Sequence, residues 1–132
     1  MHITHFRGSR FCWLAVVALL QLNSGIAEAD TISQQQLLQR LDTANAPLVL
    51  DVRTPKEFGE GHVPGAVNIP HTELAARLAE VRSGGKDQVV VYCESGRRAG
   101  MAEAILRQAG FNNVLHLEGD MAAWRKQRLP QQ

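Results

Sequence analysis

The run Val89-Val90-Val91-Tyr92, leading straight into Cys93-Glu94-Ser95-Gly96-Arg97-Arg98, constrains this chain more than any other feature. An unbroken β-branched stretch without polar alternation belongs to a strand covered on both faces, as in a parallel sheet. The segment Ala99-Gly100-Met101-Ala102-Glu103-Ala104-Ile105-Leu106 then reads as a helix that ends near Gly110. Strand, tight polar turn and helix start together place Cys93 where backbone N–H groups and a positive dipole end face the sulfur. That setting favours the thiolate, which is the reactive form of cysteine. A lone cysteine is ordinarily a small buried hydrophobe. Here the glycine and the twin arginines that follow it point to a thiol in chemical use.

Other elements alternate around this unit. Ile32 to Leu41 carries Leu37, Leu38 and Leu41 at helical spacing, with Ser33 as the cap. Pro47 to Val52 reads as a buried strand, Pro55 to Glu60 as a single helical turn closed by Gly61, and Ala66 to Ile69 as another short strand. Thr72 is placed to cap a helix over Glu73 to Val81, with Leu74, Leu78 and Val81 on one face, broken by Ser83-Gly84-Gly85. Asn113 to Leu117 makes the next strand, and Glu118-Gly119-Asp120 turns into a last helix, Met121 to Arg128. This order predicts an α/β domain whose mostly parallel sheet of about five short strands is flanked by helices on both faces. Chemistry in such sheets sits at the carboxyl ends of strands, where Cys93 lies.

The amino-terminal segment reads differently. Arg7 and Arg10 precede an apolar stretch from Phe11 to Leu20, followed by small residues and Ala27-Glu28-Ala29. A basic start, a short apolar core and a small-x-small site describe a secretory signal peptide over residues 1–29, with the domain at 30–132. The apolar stretch is shorter than the roughly 20 residues of a spanning helix, and retention of the segment as an uncleaved anchor is the alternative to its removal. Removal of that leader implies a periplasmic or secreted protein and discards Cys12. With Arg7, Arg10 and Glu28 removed, the fourteen basic and thirteen acidic residues become twelve of each. Nothing in a charge so close to zero points to a nucleic-acid or membrane-surface partner, and none is expected. An oxidising compartment would leave Cys93 as a single thiol with no internal bridge to make.

Three motifs, in order, resemble the signatures of rhodanese-like domains. They are Asp51-Val52-Arg53-Thr54-Pro55-Lys56-Glu57-Phe58 followed by Gly61-His62-Val63-Pro64-Gly65-Ala66-Val67-Asn68-Ile69-Pro70, the loop Cys93 to Ala99, and Glu118-Gly119-Asp120-Met121-Ala122-Ala123-Trp124. The resemblance runs from Ile32 to Leu129 and departs at Asp120, where the family usually has a second glycine. It implies a sulfurtransferase: a donor such as thiosulfate gives its outer sulfur to Cys93, and a thiophilic acceptor, cyanide or a thiol, removes it from the persulfide. The partners so implied are small molecules, and the chemistry needs neither cofactor nor metal.

The residues make chemical sense of that expectation. Donor and nucleophile are both anionic, so the site needs positive charge to bring them together. Backbone N–H groups from Glu94, Ser95, Gly96 and onward to Ala99 can cradle the sulfur, with Gly96 supplying the turn. Arg97 or Arg98 can hold the oxyanion end of the donor. The Glu94 side chain is expected to face water, because a carboxylate turned toward the sulfur would oppose its ionisation. Asp51, Arg53 and Glu57 are read as an ion-paired brace under the loop, with Asp51 also placed to line the pocket mouth. His62 is read as pinning its turn through a ring hydrogen bond, His116 as structural, and Trp124 and Phe58 as packing residues. His62 and His71 lack a second ligand cluster in sequence, so no metal site is expected.

Two rival enzymes fit poorly. A cysteine phosphatase loop has five residues between Cys and Arg, which would put arginine at position 99, where the chain has Ala99. A thiol–disulfide oxidoreductase needs a Cys-x-x-Cys pair that Cys93 does not have. A non-enzymatic persulfide carrier or binding module shares the same cradle and stays open as the alternative.

Overall fold

Val89, Val91 and Cys93 project to one side of the strand Val89–Tyr92 (β4), Val90 and Tyr92 to the other, and all five are buried. This alternation divides the core into two layers, and the rest of the chain is arranged to cover them. The computed structural model describes residues 30–132, so the leader expected over 1–29, with Cys12, lies outside the described residues.

Five strands, Thr31–Ile32 (β1), Leu48–Asp51 (β2), Val67–Asn68 (β3), β4 and Val114–Leu117 (β5), form one sheet in the order β1-β5-β4-β2-β3. Every pairing is parallel. On one face, Leu74, Val81, Ala99, Ala102 and Leu106 pack with Leu50, Val89, Val91 and Cys93. They come from a 3₁₀ turn at Leu74–Ala76 and the helices Leu78–Ser83 (α3) and Arg97–Gln108 (α4). On the other face, Leu37 from Gln34–Arg40 (α1), and Met121 and Trp124 from Asp120–Lys126 (α5), pack with Val49, Val90, Tyr92 and Leu117. Burying each such aliphatic or aromatic side chain is worth roughly 1.5–3 kcal/mol. The fold is the α/β architecture expected, with helices on both faces of a parallel sheet.

Two elements differ from the sequence reading. Ile32 does not begin a helix: Thr31–Ile32 is an edge strand in register with His116 and Leu117, and α1 starts only after Ser33. Ser33 does cap it, accepting the Gln36 N–H at 3.2 Å while the Gln36 side chain accepts the Ser33 N–H at 3.0 Å. The helix expected over Glu73 to Val81 is broken at Arg77, whose φ of −119° and ψ of 20° leave the helical region. Thr72 caps neither piece, and Leu74 reaches the core from the 3₁₀ turn instead.

The short helix Pro55–Gly59 (α2) buries none of its residues. Its importance lies in its first turn. Thr54 accepts the Glu57 N–H at 3.2 Å, and the Glu57 carboxylate accepts the Thr54 N–H at 2.9 Å and its hydroxyl at 3.0 Å. Thr54-Pro55-Lys56-Glu57 is thus a capping box with proline at the first helical position, and it fixes the direction of the Glu57 carboxylate.

Candidate active site

Cys93 follows β4 directly, with Gly96 three residues on in the left-handed region (φ 109°). That conformation, open to glycine at little cost, turns the Gly96 N–H back onto the Cys93 Sγ at 3.0 Å. Among the described residues it is the one loop amide hydrogen-bonded to the sulfur, so the wider cradle expected from Glu94 to Ala99 reduces to Gly96. The cysteine is 1% exposed and belongs to the α4-side core layer.

The two arginines of the loop separate. Arg97 is exposed and makes no ion pair or hydrogen bond among the described residues. Arg98 is half-buried and grips the Glu57 carboxylate with both terminal nitrogens, at 2.7 and 2.9 Å. Those hydrogen bonds are the main reason its charge is reinforced, and the neighbouring Cys93 sulfur adds to the effect. In return Arg98 holds Glu57 well below the usual carboxylate range, at about 2. The order of cause runs from the Thr54 capping box to the Glu57 carboxylate, from there to the Arg98 guanidinium, and finally to the sulfur.

The expected brace of Asp51, Arg53 and Glu57 is therefore in two pieces. Asp51 and Arg53 pair in the interior, 0% and 2% exposed, with Nε and Nη2 of Arg53 on the Asp51 carboxylate at 2.7 to 3.1 Å. Burial works against the Arg53 charge, but the bonds and charge of Asp51 outweigh it. Tyr92 donates its hydroxyl to Asp51 at 2.7 Å and accepts the Val63 N–H at 3.1 Å. Burial, with Asp51 next to it, pushes that phenol far up, so it stays protonated. Asp51 is fully enclosed and does not line a pocket mouth; Glu57 serves Arg98 instead of this pair.

Glu94 also departs from expectation. Its side chain is 34% exposed, yet it does not simply face water: it pairs with Arg125 of α5 and lies 3.6 Å from Arg53 Nη1. Ser95 is exposed at the rim of the loop.

Beneath the loop lies a group that sequence reading did not assemble. Asp120, 3% exposed, accepts the Cys93 N–H on Oδ1 at 2.9 Å. Its Oδ2 meets His116 Nε2 at 2.9 Å, and Glu103 holds the other ring nitrogen. Asp120 first and Glu103 second push His116 up to about 10, so the ring is a cation at neutral pH. The Cys93 carbonyl in turn accepts the Met121 N–H at 3.0 Å, and that of Glu94 accepts the Ala122 N–H at 3.1 Å. The first turn of α5 thereby holds the Cys93 main chain on both sides. At the one departure from the family pattern, the backbone keeps a glycine-like shape: Gly119 and Asp120 are both left-handed (φ 75° and 54°). The only signal of this in the sequence was an Asp standing where glycine is usual, whereas the Thr54 to Glu57 capping box was spelled out locally.

The remaining expectations divide similarly. His62 pins its turn through Nδ1 to the Phe58 carbonyl at 2.9 Å, and the two rings stack with centroids 3.6 Å apart. Phe58 thus packs outside the core, while Trp124 is fully buried and donates to the Pro130 carbonyl at 2.8 Å.

Known proteins bear on this geometry. The Rhodanese-like domain family matches residues 33–127. A sulfurtransferase of Allochromatium vinosum is 39% identical over 100 residues, covering 75% of this chain and 91% of that protein. Thiosulfate sulfurtransferase 16, chloroplastic, of Arabidopsis thaliana is 41% identical over 91 residues, covering 61% of this chain and 76% of its own. A solved rhodanese-related protein from Thermoplasma volcanium superposes with a TM-score of 0.66 at 29% identity, over 77% of this chain and 96% of that one. The match spans both core layers and every element around Cys93, and the chain belongs to the rhodanese-like domain family.

Proposed function

We propose that the protein is a sulfurtransferase that carries sulfane sulfur on Cys93. Family membership and sulfurtransferase relatives support sulfur transfer as its chemistry. The observation that carries the assignment to Cys93 is the contact of its sulfur with the Gly96 N–H at 3.0 Å, beside a guanidinium that Glu57 holds in place. In the first half-reaction the Cys93 thiolate attacks the outer sulfur of thiosulfate or a similar donor. A bond forms between Sγ and that sulfur, the donor's S–S bond breaks, and sulfite leaves with the electron pair. In the second, cyanide or a thiolate takes the outer sulfur and Sγ leaves as thiolate.

Arg98 and the Gly96 amide supply the positive charge that lets two anions approach in a partly dry site. Gly96, Arg98 and the rim residues Glu94, Ser95 and Arg97 bound the substrate, with Arg98 as the donor's main charge partner. A sulfur this enclosed suits small reagents over docking of a carrier's protein partner. Export through a leader over residues 1–29 is part of the same proposal, supported by the sequence pattern of that segment.

Intact-mass measurement with and without thiosulfate tests the reading. Wild type is expected to gain one sulfur atom and to lose it to cyanide as thiocyanate, with Cys93→Ser inert. A sulfur gained but never released to any small acceptor would make the protein a carrier instead.

A further inference from the structure

Asp120 is held in a costly state. It is a non-glycine residue at φ 54°, and it buries a carboxylate, with only 3% of the residue exposed. The buried Gln34 of α1 keeps the turn in that shape: its Nε2 donates to the Glu118 carbonyl at 2.6 Å and to the Asp120 carbonyl at 3.1 Å. The result is that both carboxylate oxygens are aimed. Oδ1 accepts the Cys93 N–H at 2.9 Å, and Oδ2 meets His116 Nε2 at 2.9 Å. A buried ion pair is weak evidence for stability, because its desolvation can outweigh its attraction. Strain and burial concentrated on the main chain of the reactive residue point to its chemistry instead.

The carboxylate brings a difficulty of its own. Bonded to the Cys93 nitrogen, Oδ1 lies within about 7 Å of the sulfur by covalent reach alone. A bare negative charge there opposes formation of the thiolate. His116 answers it. The ring lies under the turn that carries the Gly96 amide: a Cβ on Gly96 would stand 3.6 Å from its Cε1 and Nε2, and 3.1 Å from Asp120 Oδ2. Glu103 of α4 takes the other ring nitrogen, so the cation has a carboxylate on each side. Arg107 stands 3.6 Å from Glu103 and pairs at 3.3 Å with Asp30, whose carbonyl accepts the His116 N–H at 2.8 Å. Charge thus alternates in sign from Asp120 through His116, Glu103 and Arg107 to the exposed Asp30. In this line the cation that meets Asp120 is His116.

Resting on the sulfur-transfer reading, the geometry points to His116 as a positioning residue for the reaction, acting on Cys93 through Asp120. It fixes the carboxylate that holds the Cys93 main chain, and it screens that carboxylate's charge from the sulfur. With a neutral side chain at position 116, the bond to the Cys93 amide survives but the thiolate faces Asp120 unscreened. Asparagine at position 120 then removes the penalty with its cause, because its amide oxygen still accepts the Cys93 N–H without a charge.

The test follows ionisation of the Cys93 thiol in the full chain through its labelled Cβ resonance, assigned with Cys93→Ser. His116→Gln is expected to raise the pH at which that thiol ionises by about one unit, the scale of one nearby unscreened charge. His116→Gln combined with Asp120→Asn is expected to return it to within about a third of a unit of wild type. The acid limb of kcat/KM for thiosulfate should move with the thiol in both variants. An unmoved thiol in His116→Gln, or a rise that Asp120→Asn leaves in place, would overturn the proposal. Wild type alone gives a second reading, which stands even where a variant does not fold. Its Cys93 Cβ resonance is expected to take a second, smaller step at the pH where the His116 ring loses its proton, and the absence of that step would also overturn the proposal. The thiol titration needs no sulfur transfer. The expected shifts in a protein that takes no sulfur from thiosulfate would uphold the screening by His116 while sinking the transfer reading. Sulfur transfer with a thiol unmoved by His116→Gln would do the reverse.

Discussion

Arg98 reaches across forty-one residues of sequence to hold Glu57 by both terminal nitrogens, at 2.7 and 2.9 Å, in preference to any carboxylate on its own helix. A lysine at position 98 keeps the charge but cannot make that pair of bonds. Arg98→Lys is therefore expected to lower kcat/KM for thiosulfate roughly a hundredfold, the lower end of the scale for losing one aligned donor, since the charge is kept. Arg97→Ala, which removes an exposed side chain with no ion pair among the described residues, is expected to change it less than about threefold by the weakness of exposed charges. Steady-state thiocyanate formation by both variants checks the contrast, and equal losses would remove Arg98 from its assigned place.

The same pair makes stability depend on acid. Glu57 titrates at about 2 in the folded protein because Arg98 binds its charged form, against an ordinary value of 4.5. The unfolded chain takes up this proton first, so the contribution is complete above pH 4.5 and lost as the pH falls through about 2. Urea unfolding across that range, wild type against Glu57→Gln, is expected to converge toward the acid end. Parallel curves would mean the ion pair does not act on stability.

His116 works in the opposite direction. Its folded value of about 10 lies above its ordinary 6.5, because Asp120 and Glu103 bind the cation. The stabilisation is complete below pH 6.5 and disappears as the pH rises through about 10. His116→Gln is expected to flatten the alkaline loss of stability, and a proton NMR titration of the ring should show it charged through neutrality.

Gly96 and Asp120 share one space. A Cβ on residue 96 would stand 3.1 Å from Asp120 Oδ2, and the φ of 109° is strained for any L side chain. Gly96→Ala is expected to cost about 1–3 kcal/mol of stability through that backbone alone, and to turn the amide away from the sulfur. Asp120 itself sits at φ 54°. Asp120→Gly should therefore be more stable than Asp120→Ala by about 1 kcal/mol, the cost of a left-handed L residue. Both should speed hydrogen exchange at the Cys93 amide, which loses its acceptor. Unchanged exchange would show that Asp120 does not hold the loop.

What was legible in the chain, and what was not, follows from the range of the forces involved. Val89 to Tyr92 announced itself because burial on both faces is written in four consecutive residues. Ser33 and its helix were local too. Thr31 and Ile32 form a strand only because β5, more than eighty residues away, presents His116 and Leu117 to them. The helix expected after Thr72 fails at Arg77, whose φ of −119° and ψ of 20° leave the helical region without any glycine or proline there to announce it. In the site, Cys93, Gly96 and the arginines stood together in one loop and could be read there. Which arginine faces the sulfur was decided by Glu57, and the seat of the Cys93 main chain by Asp120 and His116. None of those partners is a sequence neighbour, so no local pattern could reveal them.

Tyr92 and Cys93 are consecutive, yet their side chains enter opposite layers of the molecule. A sulfur atom added to Cys93 is expected to disturb the layer that holds Ile69, Leu74 and Leu106, whereas Leu37, Val63 and Leu117 belong to the opposite layer. The domain thus carries its own internal reference: methyl signals on one side report the load, and those on the other calibrate them in the same tube.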